Sequence, residues 1–525
     1  MAPTYENIIL RFSVFFVLLA IVRFGQIEAF QRPVNFHPRE TGKLENMKQN
    51  SNQRFLRHDV FLSASVPGSK QQDIFTQIQN AFSGMFNPEK AEPTPKLEPI
   101  KTQVGIVGAG VSGLVCAKEL VKQGVDVKVF EASDGVGGRV RTDKVDGYLL
   151  DRGFQVFIEP YPEVQKQLNY EKLNLRQFQP GALVYYDGKL SKVADPFRQP
   201  QDTLAALLAP VGDIFDKIKV GIMRITIIFR SDEDIFKSAE MDTLSYLRNN
   251  WGFSDDMISK FFRPFYEGIY LAPLNKQSSR MFDFVFKMFA QGAASLPAEG
   301  IGKVATCLAE ELPEGTIQFE SEVQSVEKGK LLLKNGQEVV CDAVVVAADP
   351  QIARKLLNEQ IEIPEARAST CLYFGVDGEA PVKGPVLVLN GEQTTPELPV
   401  NNVVFLEQCA PEYAPEGKSL ASVTVVGNPA MSDEILIKNV TAHLAKMFGE
   451  QAREWKLLKI YRIPYAQPAQ TPPNEVFEKD PMVSDGVYCC GDHRGTSTLN
   501  GAFESGVKVA STVTQALAAG ESSQK

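Results

Sequence analysis

Val104-Gly-Ile-Val-Gly-Ala-Gly-Val-Ser-Gly-Leu114 is an apolar, β-type run that turns through Gly108, Gly110 and Gly113 into a helical pattern ending near Gln123-Gly124. Strand, glycine turn and helix in this order have a physical logic. Gly108 permits the tight turn, Gly110 lets bare backbone approach a pyrophosphate, and Gly113 lets the helix lie close on the strand. Ala109, Val111 and Ser112 fill the positions between them, so the first N–H groups of the helix face the phosphates. A second β-type run, Val125 to Phe130, ends in Glu131, at the spacing where a carboxylate accepts hydrogen bonds from a ribose diol, with Ala132 beside it. Together these residues predict an adenine-dinucleotide site.

Two further stretches select FAD rather than NAD. Gly135-Val-Gly-Gly-Arg-Val-Arg-Thr142 is a second glycine turn just after the ribose acid. An extended flavin dinucleotide needs its pyrophosphate covered from a second side, and backbone at Gly137, Gly138 and Val140 with the Arg139 guanidinium supplies that cover. Leu150-Asp-Arg-Gly-Phe-Gln155 reads as the entry to a flavin ring pocket, with Gly153, Phe154 and Gln155 on it. Far along the chain, Gly486-Val-Tyr-Cys-Cys-Gly-Asp492 leads into Ser497-Thr-Leu-Asn-Gly-Ala-Phe-Glu-Ser-Gly506. Here a strand delivers Gly491 and Asp492 to the ribityl or pyrophosphate side, and a second helix N-terminus at Asn500, Gly501 and Ala502 faces the flavin N1/O2 edge. Gly506 is expected to allow close helix packing.

With these pieces in view, the chain resembles the flavin-containing amine oxidase superfamily over roughly 103–519. The resemblance rests on Gly108-Ala-Gly-Val-Ser-Gly113, Glu131, Gly137-Gly-Arg-Val-Arg141, Phe262-Arg-Pro-Phe-Tyr-Glu-Gly-Ile269, Pro297-Ala-Glu-Gly300, the Asp342 to Ala348 strand, Gly491-Asp492 and Gly501-Ala502. Arg263 through Arg280 look more like the phytoene and zeta-carotene desaturase branch than the amine oxidases. The resemblance implies an α/β fold: a two-lobed, FAD-binding Rossmann-type (glutathione-reductase-like) domain from 101–160, 290–355 and 480–520. A mixed α+β substrate domain would be inserted in two segments, 161–289 and 356–479. It also implies a strand pair touching the adenine end, with Val323 as the backbone contact. No aromatic cage or covalent-flavin cysteine pattern of the amine oxidases is evident.

The remaining composition fits an enzyme of this kind. A formal charge of −9 argues against a nucleic-acid partner. The cysteines at 116, 307, 341, 371, 409, 489 and 490 are scattered without metal spacing, and the chain has only four histidines, so free buried thiols and no metal site are expected. At the N-terminus, the apolar run Phe12 to Val22 lies between Arg11 and Arg23, and Ala29 precedes Phe30. Residues 30–70 carry seven Lys/Arg against three Asp/Glu. These features read as a signal peptide over 1–29 and a transit-peptide-like segment over 30–70, which predicts a plastid protein like those of algae with complex plastids. Over 71–100, Ile74, Phe75, Ile78, Phe82 and Phe86 recur at helical spacing before a Pro-rich linker. This stripe is expected to dock on its own protein, with peripheral membrane contact as the alternative.

No acid/base couple or nucleophilic triad stands out, and hydride transfer to a flavin needs none. Arg263, His493 and Arg494 are the candidate catalytic side chains. Phe261, Phe262, Phe265, Tyr266, Tyr270, Phe282, Phe284, Phe286, Met288 and Phe289 either wall a tunnel for an apolar substrate or form ordinary core. The function expected is oxidation or isomerisation of an apolar conjugated small molecule, such as a carotenoid. Tetrapyrrole oxidation, amine oxidation and non-catalytic flavin or pigment binding are the alternatives.

Overall fold

The strand Val104–Val107 is buried at every position, as a strand covered on both faces must be. In the computed structural model, which describes residues 97–474 and 477–524, it lies inside a six-stranded sheet. The order is Ile317–Gln318, Val127–Phe130, Val104–Val107, Ala343–Val346, Val487–Cys489, Met482–Ser484. Every neighbour pair is parallel except the last. Residues more than three hundred positions apart thus share one sheet, which is why the fingerprint and the C-terminal motif meet.

The two faces of this sheet are covered differently. Val104, Ile106, Val127, Val129, Ala343 and Val345 pack under the helices Val111–Lys122, Lys303–Ala309 and Leu499–Gln524. Val107, Phe130, Val344 and Val346 point the other way, onto a four-stranded sheet of Ile100–Lys101, Glu338–Val340, Lys330–Leu333 and Val323–Glu327. The linker expected over 71–100 therefore ends inside a strand, with Ile100 paired to Val339. The signal, transit and amphipathic segments lie outside the described residues.

A seven-stranded sheet carries most of the rest. Its order is Lys456–Pro468, Ala366–Asp377, Lys418–Val426, Asn402–Phe405, Leu387–Asn390, Gly181–Tyr186, Lys189–Ala194. The stretch 161–289, placed in the mixed α+β substrate domain, contributes the last two strands of this sheet. Gly181–Tyr186 joins by parallel pairing with Leu387–Asn390. Side chains alternate across this sheet. Leu372, Phe374, Val403 and Val423 pack with Leu436, Val440 and Leu444 of the helix Asp433–Phe448. Cys371, Tyr373 and Val404 face Tyr148, Leu150 and Leu296 on the other side.

The helix Ser279–Gln291 falls where the sequence places it, begun by Ser278, whose hydroxyl accepts from the Arg280 and Met281 N–H groups. Phe262, Tyr266 and Phe282 are fully buried, whereas Phe261, Phe265, Phe286 and Phe289 are only partly covered. The inner rings are thus ordinary core, and the outer ones are partly exposed beside it. All seven cysteines are free and buried. Among the described residues no helix is long and apolar enough to cross a membrane, and no group of His, Cys, Asp and Glu could hold a metal ion.

Gly506 fixes how the C-terminal helix lies on the fingerprint helix. A Cβ there would stand 2.5 Å from the Ser112 carbonyl oxygen and 3.2 Å from the Cys116 nitrogen, both backbone atoms. Gly506→Val should therefore lower unfolding free energy by about 1–3 kcal/mol or more. Gly520→Ala, where nothing lies within 4 Å, should be neutral or stabilising. Urea melts of the two variants check this, and equal stability would show that the helices are not held this close.

Candidate functional site

The fingerprint turn is built from backbone. Gly108 has φ +102°, and a Cβ on Gly113 would sit 2.2 Å from the Gly108 oxygen, so neither position accepts a side chain. Gly110 is different, because a Cβ there would meet nothing nearer than the Ala347 oxygen at 4.0 Å. Open space lies above it. The helix beginning at Val111 has Gly110 at its N-cap and no side-chain cap, so Val111, Ser112 and Gly113 present their N–H groups to that space. Glu131 sits at the end of the next strand. Its Oε2 accepts from the Ala109 N–H at 2.7 Å, and its Oε1 accepts from Ser133 N–H and hydroxyl at 2.9 and 2.7 Å. Ala132 is exposed beside it.

The second glycine turn lies against the first. Gly137 N–H donates to the Ala109 carbonyl at 2.8 Å, Gly110 and Gly137 form a β-bridge, and Val140 N–H closes the turn on Gly137 at 2.9 Å. Gly138, at φ +60°, would place a Cβ 3.7 Å from Gly110 Cα. Arg139 reaches across to the third stretch, donating from Nη1 and Nη2 to Asp492 at 2.8 and 2.7 Å and from Nη1 to the Ala466 carbonyl at 2.9 Å. Burial works against the Arg139 charge, but Asp492 outweighs it and holds the guanidinium above its ordinary value. Two residues expected to contact the dinucleotide separately are thus joined in one bidentate pair.

At the third stretch, Gly491 has φ +149° and donates its N–H to Ser505 Oγ at 3.1 Å. The C-terminal helix starts at Leu499, with Gly501 N–H bonded to Thr498 Oγ1 at 2.9 Å and Ala502 N–H to the Thr498 carbonyl at 3.0 Å. Asn500 is buried and its Oδ1 accepts from Glu163 N–H at 2.8 Å. His493 is buried against Gly491, with Nε2 3.7 Å from Cys489 Sγ and Nδ1 without a partner, and burial pushes its imidazole down to about 4. Arg494 donates to the Asp480 carbonyl at 2.6 Å, and Arg263 to the carbonyls of Glu392 and Gly391 at 2.9 and 3.4 Å. Of the three candidate catalytic side chains, His493 and Arg494 each keep a buried nitrogen without a partner, Nδ1 and Nε, and His493 alone makes no carbonyl contact. Val323 starts its strand paired to Leu333, and the segment before it lies on Glu131, Ser321 N–H donating to the Glu131 carbonyl at 2.8 Å.

Leu150 to Gln155 contains a residue whose role the sequence does not disclose. Asp151 is 1% exposed and gathers three distant parts of the chain. It accepts from Thr142 Oγ1 at 2.6 Å, Ile301 N–H at 3.0 Å and Tyr413 hydroxyl at 2.8 Å. No cation accompanies it, and burial pushes its carboxyl up to about 6 despite these bonds. Just beyond, Gly153 at φ +87° lies under Ile463, Phe154 packs half-buried on the Tyr373 cluster, and Gln155 Nε2 donates to the Arg139 carbonyl at 2.8 Å.

Comparison with known proteins agrees with this geometry. The model of the flavin-containing amine oxidoreductase family matches residues 111–514. Protoporphyrinogen oxidase 2, chloroplastic/mitochondrial, of Arabidopsis thaliana is 27% identical over 166 residues, 32% of each chain. The 4,4'-diapophytoene desaturase of Staphylococcus aureus (strain bovine RF122 / ET3-1) is 28% identical over 156 residues, 28% of each. The chain therefore covers about a third or less of these curated relatives' lengths. Among solved structures, an oxidoreductase from Methanosarcina mazei has a TM-score of 0.58 at 17% identity, covering 79% of this chain and 100% of that one. Putrescine oxidase bound to putrescine gives 0.55 at 17%, covering 79% and 100%. At these identities the structures speak for the mixed α/β fold. The bare Gly110 cradle, the uncapped helix start, Glu131 and the orphaned His493 Nδ1 fit FAD.

Two measurements follow from this geometry. Glu131→Ala should weaken FAD retention roughly tenfold or more, as loss of a charge-assisted hydrogen bond implies, and the flavin-to-protein absorbance ratio after dialysis reads it. An unchanged ratio removes the ribose role. Asp151 has its carboxyl raised in the fold from 3.8 to about 6, so its protonated form is favoured; its contribution to stability is full below 3.8 and lost as pH rises through about 6. Asp151→Asn should flatten the stability curve across that window in urea melts, and an identical slope in both proteins would contradict the assignment.

Proposed function

Since the chain belongs to the flavin-containing amine oxidoreductase family and is an FAD-dependent oxidoreductase, we propose that its substrate is an apolar conjugated molecule, a carotenoid that it desaturates or isomerises. The observation that carries this reading is the continuity of the aromatic wall with the cofactor cradle. Phe262, Tyr266, Phe282 and Phe284 belong to the same hydrophobic cluster as Leu114 and Val115 of the fingerprint helix. The outer rings Phe261, Phe265 and Phe289 extend that wall, with centroids 5.7 and 5.5 Å apart along the series. Bound FAD supplies the hydride acceptor. The chain's own residues hold the dinucleotide at bare glycine backbone, exclude water with stacked rings, and keep His493 neutral at physiological pH. A desaturase among the relatives supports this substrate class.

The six-stranded and four-stranded sheets, drawn from 101–160, 290–355 and 480–520, form the FAD-binding lobe in this reading, a two-lobed Rossmann-type arrangement. The seven-stranded sheet and the aromatic helices, from 161–289 and 356–479, form the substrate lobe. Residues 1–70 direct the protein to the plastid. Tetrapyrrole oxidation is the second reading, favoured by the similarity to a protoporphyrinogen oxidase.

Anaerobic titration of the FAD-loaded protein with carotenoid, porphyrinogen and amine candidates tests the substrate class. Bleaching of the flavin bands by a carotenoid supports the first reading, and bleaching by a porphyrinogen replaces it with the second. Phe289→Ala should alter turnover and leave the flavin spectrum alone. Phe284, 2% exposed and stacked on Tyr161 at 6.0 Å, is core, so Phe284→Ala should cost about 3–5 kcal/mol of stability instead. A fluorescent-protein fusion of residues 1–70 should enter plastids, and its secretion would overturn the localisation.

A further inference from the structure

A cavity of about 20 Å³ lies between Tyr270 and Gln467, and its lining includes Lys276, Gln277, Arg367, Gln470 and Ser497. On one side, Gln467 follows Ala466, whose carbonyl accepts from Arg139, and Ser497 precedes the C-terminal helix, held by Gln470 Oε1 at 3.0 Å. On the other, Tyr270 stacks on Tyr266 at 6.1 Å and donates its hydroxyl to the Met281 carbonyl at 2.7 Å. In an otherwise apolar wall this spot is polar.

Gln277 and Arg367 are 3% and 8% exposed, so any polar atom they leave open is costly. The Gln277 amide is oriented by its surroundings. Its Nε2 donates to the carbonyls of Ala272 and Tyr266, which leaves Oε1 buried with no partner. Arg367 gives one N–H to Thr471 Oγ1 at 2.7 Å, and its ion pair with the exposed Glu365 is long, at 3.7 Å. The cavity is thus bordered by a residue whose amide oxygen lacks a donor and by two cations, the buried Arg367 and the exposed Lys276, in a space the size of one oxygen-centred group. A carboxylate does not donate to Oε1, an ammonium is repelled by Arg367, and a hydrocarbon satisfies neither.

We propose that this cavity receives a hydroxyl of the substrate, so that the polyene is a hydroxylated one: the hydroxyl donates to Gln277 Oε1 and accepts from Arg367. The inference rests on the polyene reading of the wall. It makes Gln277 and Arg367 positioning residues that set which end of a long molecule stops beside the flavin.

The test uses the FAD-loaded full chain and two probes, β-carotene and its dihydroxy derivative zeaxanthin, each titrated while flavin absorbance reports binding. Zeaxanthin should bind about tenfold or more tightly than β-carotene, as a buried hydrogen-bonding site discriminates against an analogue lacking the group. Gln277→Met should erase the preference while FAD stoichiometry and the β-carotene Kd stay unchanged. Arg367→Met serves as an independent variant if the first fails to retain FAD, and should erase the preference too. Equal binding of both carotenoids by the unaltered protein would mean the cavity holds only water, leaving the polyene reading intact. A preference that survives both substitutions would also overturn the proposal, and failure of both carotenoids to perturb the flavin would remove the polyene reading together with it.

Discussion

A helix that begins at Gly110 with no side chain over its first N–H groups carries an unsatisfied positive end. Most of the architecture around the site can be understood as keeping that end bare yet rigid. At Gly108 and Gly113 the turn cannot carry side chains without striking Ala347 or its own carbonyls, so rigidity has to come from elsewhere. It comes from the second glycine turn, bonded to Ala109 and Gly110, and from the C-terminal helix pressed against Ser112 through Gly506. The Arg139–Asp492 pair closes the circle. Each of three distant stretches touches the other two, and none could be placed without the parallel sheet beneath them.

That circle explains which parts of the site were legible in sequence. Gly108, Gly113 and Gly506 are readable because only glycine fits where two backbones nearly touch. Glu131 is readable because strand length and turn geometry fix its spacing from the fingerprint. The Arg139–Asp492 pair was not, since each residue separately has the chemistry of a phosphate or ribityl contact and nothing local says they meet. Asp151 was hidden for a similar reason. It stands within a quoted motif, but its partners Ile301 and Tyr413 are remote, and its meaning lies in their convergence. The place of Gly181–Tyr186 and Lys189–Ala194 in the large sheet is not legible locally, because their pairing is set by a strand two hundred residues away. Ser133, which holds the ribose acid in place, has a sequence signal only in hindsight: a hydroxyl two residues after the carboxylate.

The electrostatics of the interior share one tendency. Burial pushes His493 down to about 4, and Asp151 and Asp283 up to about 6, each away from charge. Where charge is kept, it is compensated, as in the bidentate contact of Arg139 with Asp492 at 2.8 and 2.7 Å. A low-dielectric interior of this kind suits hydride transfer, to which the chain contributes alignment and dryness. A desaturation also releases a proton from the neighbouring carbon, so it needs a proton acceptor besides the hydride acceptor.

Alignment along an apolar wall has a known weakness. A hydrophobic surface distinguishes one methylene from the next by only about 1–3 kcal/mol, and a long uniform molecule can slide along it. The stacked rings from Phe261 to Phe289 can exclude water, but they offer little to fix register. A single buried polar group changes this, because leaving it unpaired costs more than several displaced methylenes would recover. Gln277 is such a group, its Nε2 held by the carbonyls of Tyr266 and Ala272 and its Oε1 left buried without a partner. If register along the wall is set anywhere, the physical argument places it at this amide, and the fold has put the amide where donor and acceptor must meet.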